Sequence, residues 1–131
     1  MLECVSGERC PREYGVLLAL AMGLGKTLIT LAAVTALLHA PPPHRIQRVL
    51  VLCPASLVEN WAAEIEKWLP PGVASFIILS SRASMEQYLN HTPAVLVCGF
   101  EAFVAHRMWF ELGGMPCDLL VIDEAHKVTN I

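Results

Sequence analysis

Charge is scarce in this chain. Only 16% of its 131 residues are Asp, Glu, Lys or Arg, and the formal net charge is −3. No overall basic field is present to draw in a polyanion at long range. The chain also lacks the polarity of a disordered segment, since 55% of it is hydrophobic. Spaced cysteine pairs are missing as well. Cys4, Cys10, Cys53, Cys98 and Cys117 are scattered, odd in number and nowhere arranged as C-x-x-C. That argues against a disulfide framework or a zinc site and for reduced, structural thiols. No basic region, apolar core and small-residue cleavage site follow one another at the N-terminus, so no secretory signal is expected. Gly15 to Ala40 is apolar and long enough to span a bilayer, but Lys26 lies near its middle, flanked by Gly23, Gly25 and Thr27. A charge there is costly in a membrane, so a strand, loop and helix is the expected reading and no membrane partner is expected.

What the chain does have is alternation. Short apolar runs at Tyr14 to Ala21, Arg48 to Cys53, Ser75 to Leu79, Ala94 to Cys98 and Asp118 to Ile122 read as strands. Between them, Lys26 to about His39, a segment after Pro54, Arg82 to Leu89 and Glu101 to Phe110 read as helices. The first helix is apolar nearly all round, which implies burial. Ser56 and Glu59 have capping-box spacing, and Leu57, Trp61, Ile65 and Trp68 recur on one face. Trp61, sharing that face, is expected to be core. Pro41-Pro42-Pro43, Pro70-Pro71-Gly72 and Gly113-Gly114 punctuate the elements. Five strands alternating with helices, with no hairpin signal, imply parallel crossovers and an α/β sandwich. The strands are apolar throughout, as in a sheet covered on both faces. Residues 1–13 form a leader, and 14–131 a single unit.

Two short runs carry the chemistry. Met22-Gly23-Leu24-Gly25-Lys26-Thr27 stands between the first strand and the first helix, the context of a phosphate-binding loop. Glycines permit close backbone approach, and amides at a helix start favour anions. Lys26 would contact the β- and γ-phosphates of ATP, and the Thr27 hydroxyl would ligate Mg2+. The full loop pattern asks for glycine at position 20, where this chain has Leu20. Asp123 and Glu124 follow the last apolar strand, Asp123 to hold Mg2+ and Glu124 to orient and deprotonate water. A lone His126 nearby reads as surface packing.

These residues resemble the Swi/Snf group of helicase-like DNA-dependent ATPases. Met22 to Thr27 is similar to motif I of that group. Cys53-Pro54-Ala55-Ser56-Leu57 with Asn60-Trp61 is similar to motif Ia, Val97 to Phe103 to the next motif, and Asp123-Glu124-Ala125-His126 with Lys127 and Asn130 to motif II, the DEAH box. The resemblance runs from about Gly15 to Asn130. It implies a truncated RecA-like P-loop three-layer sandwich, the front part of one lobe of a two-lobe ATP hydrolase. It also implies translocation on duplex DNA or nucleosomes in the full-length context, in chromatin remodelling or DNA repair, and nuclear location in a eukaryote, otherwise cytoplasmic. Ser56, Phe100 and Glu101 would face DNA. By the same resemblance, the strand that normally follows motif II and the second RecA-like lobe with its arginine finger are missing, so sheet edges are left unpaired and the chain alone is expected not to be a competent motor. Leu20 and Ala21 replace the family's usual Asp-Glu, and Thr129 a usual lysine. These changes keep open a non-catalytic, diverged module; an RNA-directed ATPase is a third reading, which the Pro54 to Trp61 segment disfavours.

Overall fold

The computed structural model describes residues 25–111 and 117–124, with only the backbone given at 110 and 111. In chain order the elements are α1 (Lys26–Leu38), β1 (Arg48–Cys53), a 3-10 turn (Ala55–Leu57), α2 (Val58–Trp68), β2 (Ser75–Ile78), α3 (Arg82–Asn90), β3 (Ala94–Gly99), α4 (Phe100–Ala105), α5 (Arg107–Glu111) and β4 (Leu119–Ile122). The four strands form one parallel sheet in the order β2-β3-β1-β4. The expected first strand, Tyr14 to Ala21, and the Gly113-Gly114 turn lie outside the described residues.

Alternation along the strands builds the three layers. Val49, Val51 and Cys53 of β1, with Val95 and Val97 of β3, face α1 and α2 and pack with Leu31, Val34, Trp61 and Ile65. The intervening Leu50, Leu52, Leu96 and Cys98 face the opposite layer, with Met85, Tyr88 and Phe100. Every residue of β3 is buried. This two-sided burial is what continuous apolar strands demand. At the sheet's lower end, the Asp118 carboxylate accepts the amides of Gln47 and Arg48 at 2.9 and 3.0 Å, fixing the register of β4 on β1.

Four local expectations change. The helix after Pro54 does not start in a Ser56 capping box. Leu57 N–H donates to the Pro54 carbonyl at 2.9 Å, closing a 3-10 turn, and α2 begins at Val58 without a side-chain cap. Ser56 is therefore inside a turn rather than at a helix mouth, and exposed. The capping box is instead on α3, where Ser84 Oγ accepts the Ser81 amide at 3.0 Å. Trp68 is 43% exposed rather than core. The chain turns extended at Leu69, which swings into the core in its place. α1 buries one face only, through Leu31, Val34, Leu37 and Leu38, while Leu28 and Ile29 are exposed. The helix over Glu101 to Phe110 is broken at His106, whose ring stacks on Trp109 at 4.0 Å, giving α4 and α5.

Candidate functional site

The four described strands are parallel, so their carboxyl ends share one edge of the sheet, where α/β folds place ligands. Three sequence features meet there. Pro54 and the 3-10 turn follow β1, Phe100 and Glu101 follow β3, and Asp123 and Glu124 follow β4. Gly99 lets the first two approach. A Cβ on it would stand 3.3 Å from Ala55 Cα. Ser56 and Glu101 are exposed on this flank. The Phe100 side chain is not; it is 8% exposed and packs in the core below the sheet.

The start of α1 closes the other side. Gly25 occupies the N-cap position with φ 77 and ψ 28, a left-handed conformation that suits glycine. Its carbonyl accepts the Ile29 amide at 2.9 Å, leaving the amides of the first turn without intrahelical partners, as at any helix start. Lys26 and Thr27 are half-buried at this end. Met22, Gly23 and Leu24, the front of the expected loop, and His126 lie outside the described residues.

A cleft of about 430 Å3 joins these pieces. Gly25, Lys26 and Thr27 form one wall, and Asp123 and Glu124 another. The third wall is a polar stripe of α2, Asn60, Glu64 and Lys67, ending in Trp68. The indole N–H of Trp68 donates to Glu64 Oε2 at 2.7 Å, and Lys67 Nζ stands 4.9 Å from the ring centroid. Lys26 and Thr27 thus share one space with Asp123 and Glu124, about 100 positions away.

The acidic end is tightly arranged. Asp123 N–H donates to the Leu52 carbonyl at 2.8 Å, continuing the β4–β1 ladder by one residue. Its Oδ1 accepts the Glu124 amide at 2.9 Å, and its Oδ2 accepts Nε1 of Trp61 at 3.0 Å. Glu124 has φ 55, the left-handed region in a residue with a side chain. Such a conformation costs about 1–2 kcal/mol and is kept where surroundings impose it. Burial, and secondarily the Asp123 charge, push the Cys53 thiol up to about 11. That thiol stays neutral beside the site.

Sequence reasoning placed Trp61 in the core, and it is there, 3% exposed. It missed the bond to Asp123 and the polar stripe of α2. The stripe had a signal: Asn60, Glu64 and Lys67 recur at spacings of four and three, one helix face beside the apolar one.

Magnesium prefers oxygen donors and is held by few protein groups together with substrate phosphates. A carboxylate and a hydroxyl bordering one cleft fit that requirement. Among the described residues each Asp123 oxygen carries one protein donor, and a carboxylate oxygen can accept more than one bond. Among the described residues no three His, Cys, Asp or Glu cluster as an all-protein cage.

A parallel α/β sheet with a helix start and an acidic strand end across one cleft is consistent with a truncated RecA-like lobe. A family profile described as the SNF2-related domain matches residues 2–131. The chain belongs to that family. It is 37% identical to the DNA repair and recombination protein RAD54 of Oryza sativa subsp. japonica over 142 residues, which cover 99% of this chain and 14% of that one. It is 32% identical to RAD54B of Mus musculus, covering 99% and 15%. DNA repair protein rhp54 of Schizosaccharomyces pombe is 31% identical, covering 99% and 17%. The chain therefore spans less than a fifth of the length of these relatives.

Proposed function

We propose that this chain forms the ATP- and Mg2+-binding part of a DNA-dependent ATPase of the DNA-repair or chromatin-remodelling type, and that it is not a motor by itself. The observation that carries this reading is the single cleft shared by Lys26, Thr27, Asp123 and Glu124. Lys26 and the first amides of α1 hold the phosphates. Thr27 and Asp123 hold magnesium, which when bound neutralises charge on the transferring phosphoryl group. Glu124 orients and deprotonates the attacking water. The flank of Ser56 and the Phe100–Glu101 backbone meets the phosphates of duplex DNA, positioning it without reading bases. The names of the relatives, all DNA repair proteins, support the DNA partner.

The departures at Leu20 and Ala21 favour one second reading, a non-catalytic module that keeps the fold. Equilibrium dialysis with ATP and Mg2+ separates the two. In the first reading Lys26→Ala weakens binding about 10-fold or more, the worth of a charge-assisted contact. Equal affinity in both proteins would refute the phosphate role of Lys26. Turnover by the 131-residue chain is expected to stay far below motor rates with or without DNA; DNA-stimulated hydrolysis at motor-like rates would overturn that part of the proposal.

A further inference from the structure

The indole of Trp61 does something that core packing does not require. Phenylalanine would fill a buried, apolar site between α2 and the sheet. Trp61 is 3% exposed, yet its one polar atom reaches Asp123 Oδ2 at 3.0 Å, across 62 residues of sequence. A buried indole N–H needs an acceptor, and here the acceptor is the carboxylate at the end of β4.

Among the described residues, the other bonds at this position start from the loop's own main chain. The Glu124 amide fixes Oδ1, and the Asp123 amide ties the backbone to Leu52. Neither bond crosses from another layer of the fold. Trp61 supplies that link from α2, the helix whose polar stripe lines the same cleft. With the Trp61 indole on Oδ2 and the Glu124 amide on Oδ1, the carboxylate plane cannot turn without breaking a bond.

We propose that Trp61 is a positioning residue for Asp123, orienting its carboxylate toward Mg2+ through the Nε1–H···Oδ2 bond. The inference rests on the metal role proposed above for Asp123. Groups that orient a metal ligand in this way typically change metal affinity about 10- to 100-fold when lost.

The test uses the 131-residue chain and reads Mg2+ dependence rather than turnover. ATP affinity is measured by equilibrium dialysis in chelator and across a Mg2+ titration, for the wild type, Trp61→Phe and Lys26→Ala. Trp61→Phe is expected to bind metal-free ATP within about twofold of wild type but to need about 10-fold more Mg2+ for half-maximal tightening. Lys26→Ala weakens binding in chelator and in Mg2+ alike. An unchanged Mg2+ midpoint in Trp61→Phe, with Lys26→Ala impaired, overturns the positioning role and leaves the nucleotide site standing. If Lys26→Ala binds as wild type, the nucleotide reading fails and this inference with it. Should circular dichroism show that Trp61→Phe does not fold, site-specific replacement of the indole by benzothiophene keeps the bicyclic shape and removes only the donor. The same two Mg2+ outcomes then decide.

Discussion

Gly99 illustrates how closely single residues control the functional edge. It ends β3 in the core, and the main chain of the turn after β1 lies against it, 3.3 Å from where a Cβ would be. Its backbone is ordinary, so the requirement is space. Gly99→Ala is expected to destabilise the fold by about 1–3 kcal/mol through overpacking, read as a lower urea midpoint at unchanged slope. A midpoint equal to wild type would show that the turn yields freely. Glu124 is the contrasting case: its left-handed backbone is a conformational cost at a candidate catalytic position. At this scale the sequence disclosed residue types well and contacts poorly. Lys26, Thr27, Asp123 and Glu124 were singled out from their runs, and all four line one cleft. The bond from Trp61 to Asp123 was not, because an apolar stripe describes which face is buried and not what an indole nitrogen finds there.

Among the elements, β1 has the most to hold. It pairs with β3 and β4 and carries both faces of the core. Its first residue also anchors a helix. The Arg48 guanidinium donates to the Tyr88 carbonyl, to the Leu89 carbonyl at 2.8 Å and to Thr92 Oγ1 at 3.2 Å, and lies 5.1 Å from the Tyr88 ring centroid. It thereby satisfies carbonyls in the last turn of α3, which have no intrahelical donors. Arg48→Ala is expected to cost about 1–3 kcal/mol, measured by urea unfolding. Hydrogen exchange should show the loss concentrated in α3; uniform deprotection would instead mean that Arg48 supports the sheet. Among the described residues, element types and order were legible because apolar runs and helical spacings differ in period. Boundaries were less so. Pro54 led into a 3-10 turn that displaced the expected Ser56 cap, and His106 divided the helix drawn through it. Both are local turn geometries, set by a residue or two, which periodicity does not resolve.

For the molecule as a whole, the buried thiols and phenol dictate a response to alkali. Burial pushes Cys53 up to about 11 and Cys98 up to about 12, and raises Tyr88 well above its ordinary value. An unfolded chain releases these protons near the ordinary values, about 8.5 for Cys and 10 for Tyr. Between those values and the raised ones the folded state binds more protons than the unfolded state, so stability falls as pH rises. Unfolding midpoints are expected to hold below pH 8 and to decline progressively above about pH 9. A profile flat to pH 11 would mean that these groups ionise in the fold without penalty. Cys53 and Cys98 should also resist alkylation until the chain opens.

The sequence by itself determined the layers and suggested the chemistry proposed for the cleft. Strands apolar on both faces must lie in a covered sheet, helices between them force parallel crossovers, and a glycine–lysine–threonine run with an acidic strand end is the basis for proposing an anion and a cation side by side. Only the tertiary structure decided the strand order β2-β3-β1-β4, because any apolar strand can pair with any other and local spacing does not choose among them. By setting β4 against β1, beneath α2, that order brings Asp123 to the indole of Trp61. The reason is physical: hydrophobic pattern selects a face, whereas a single hydrogen bond between distant residues depends on which elements become neighbours and in what register.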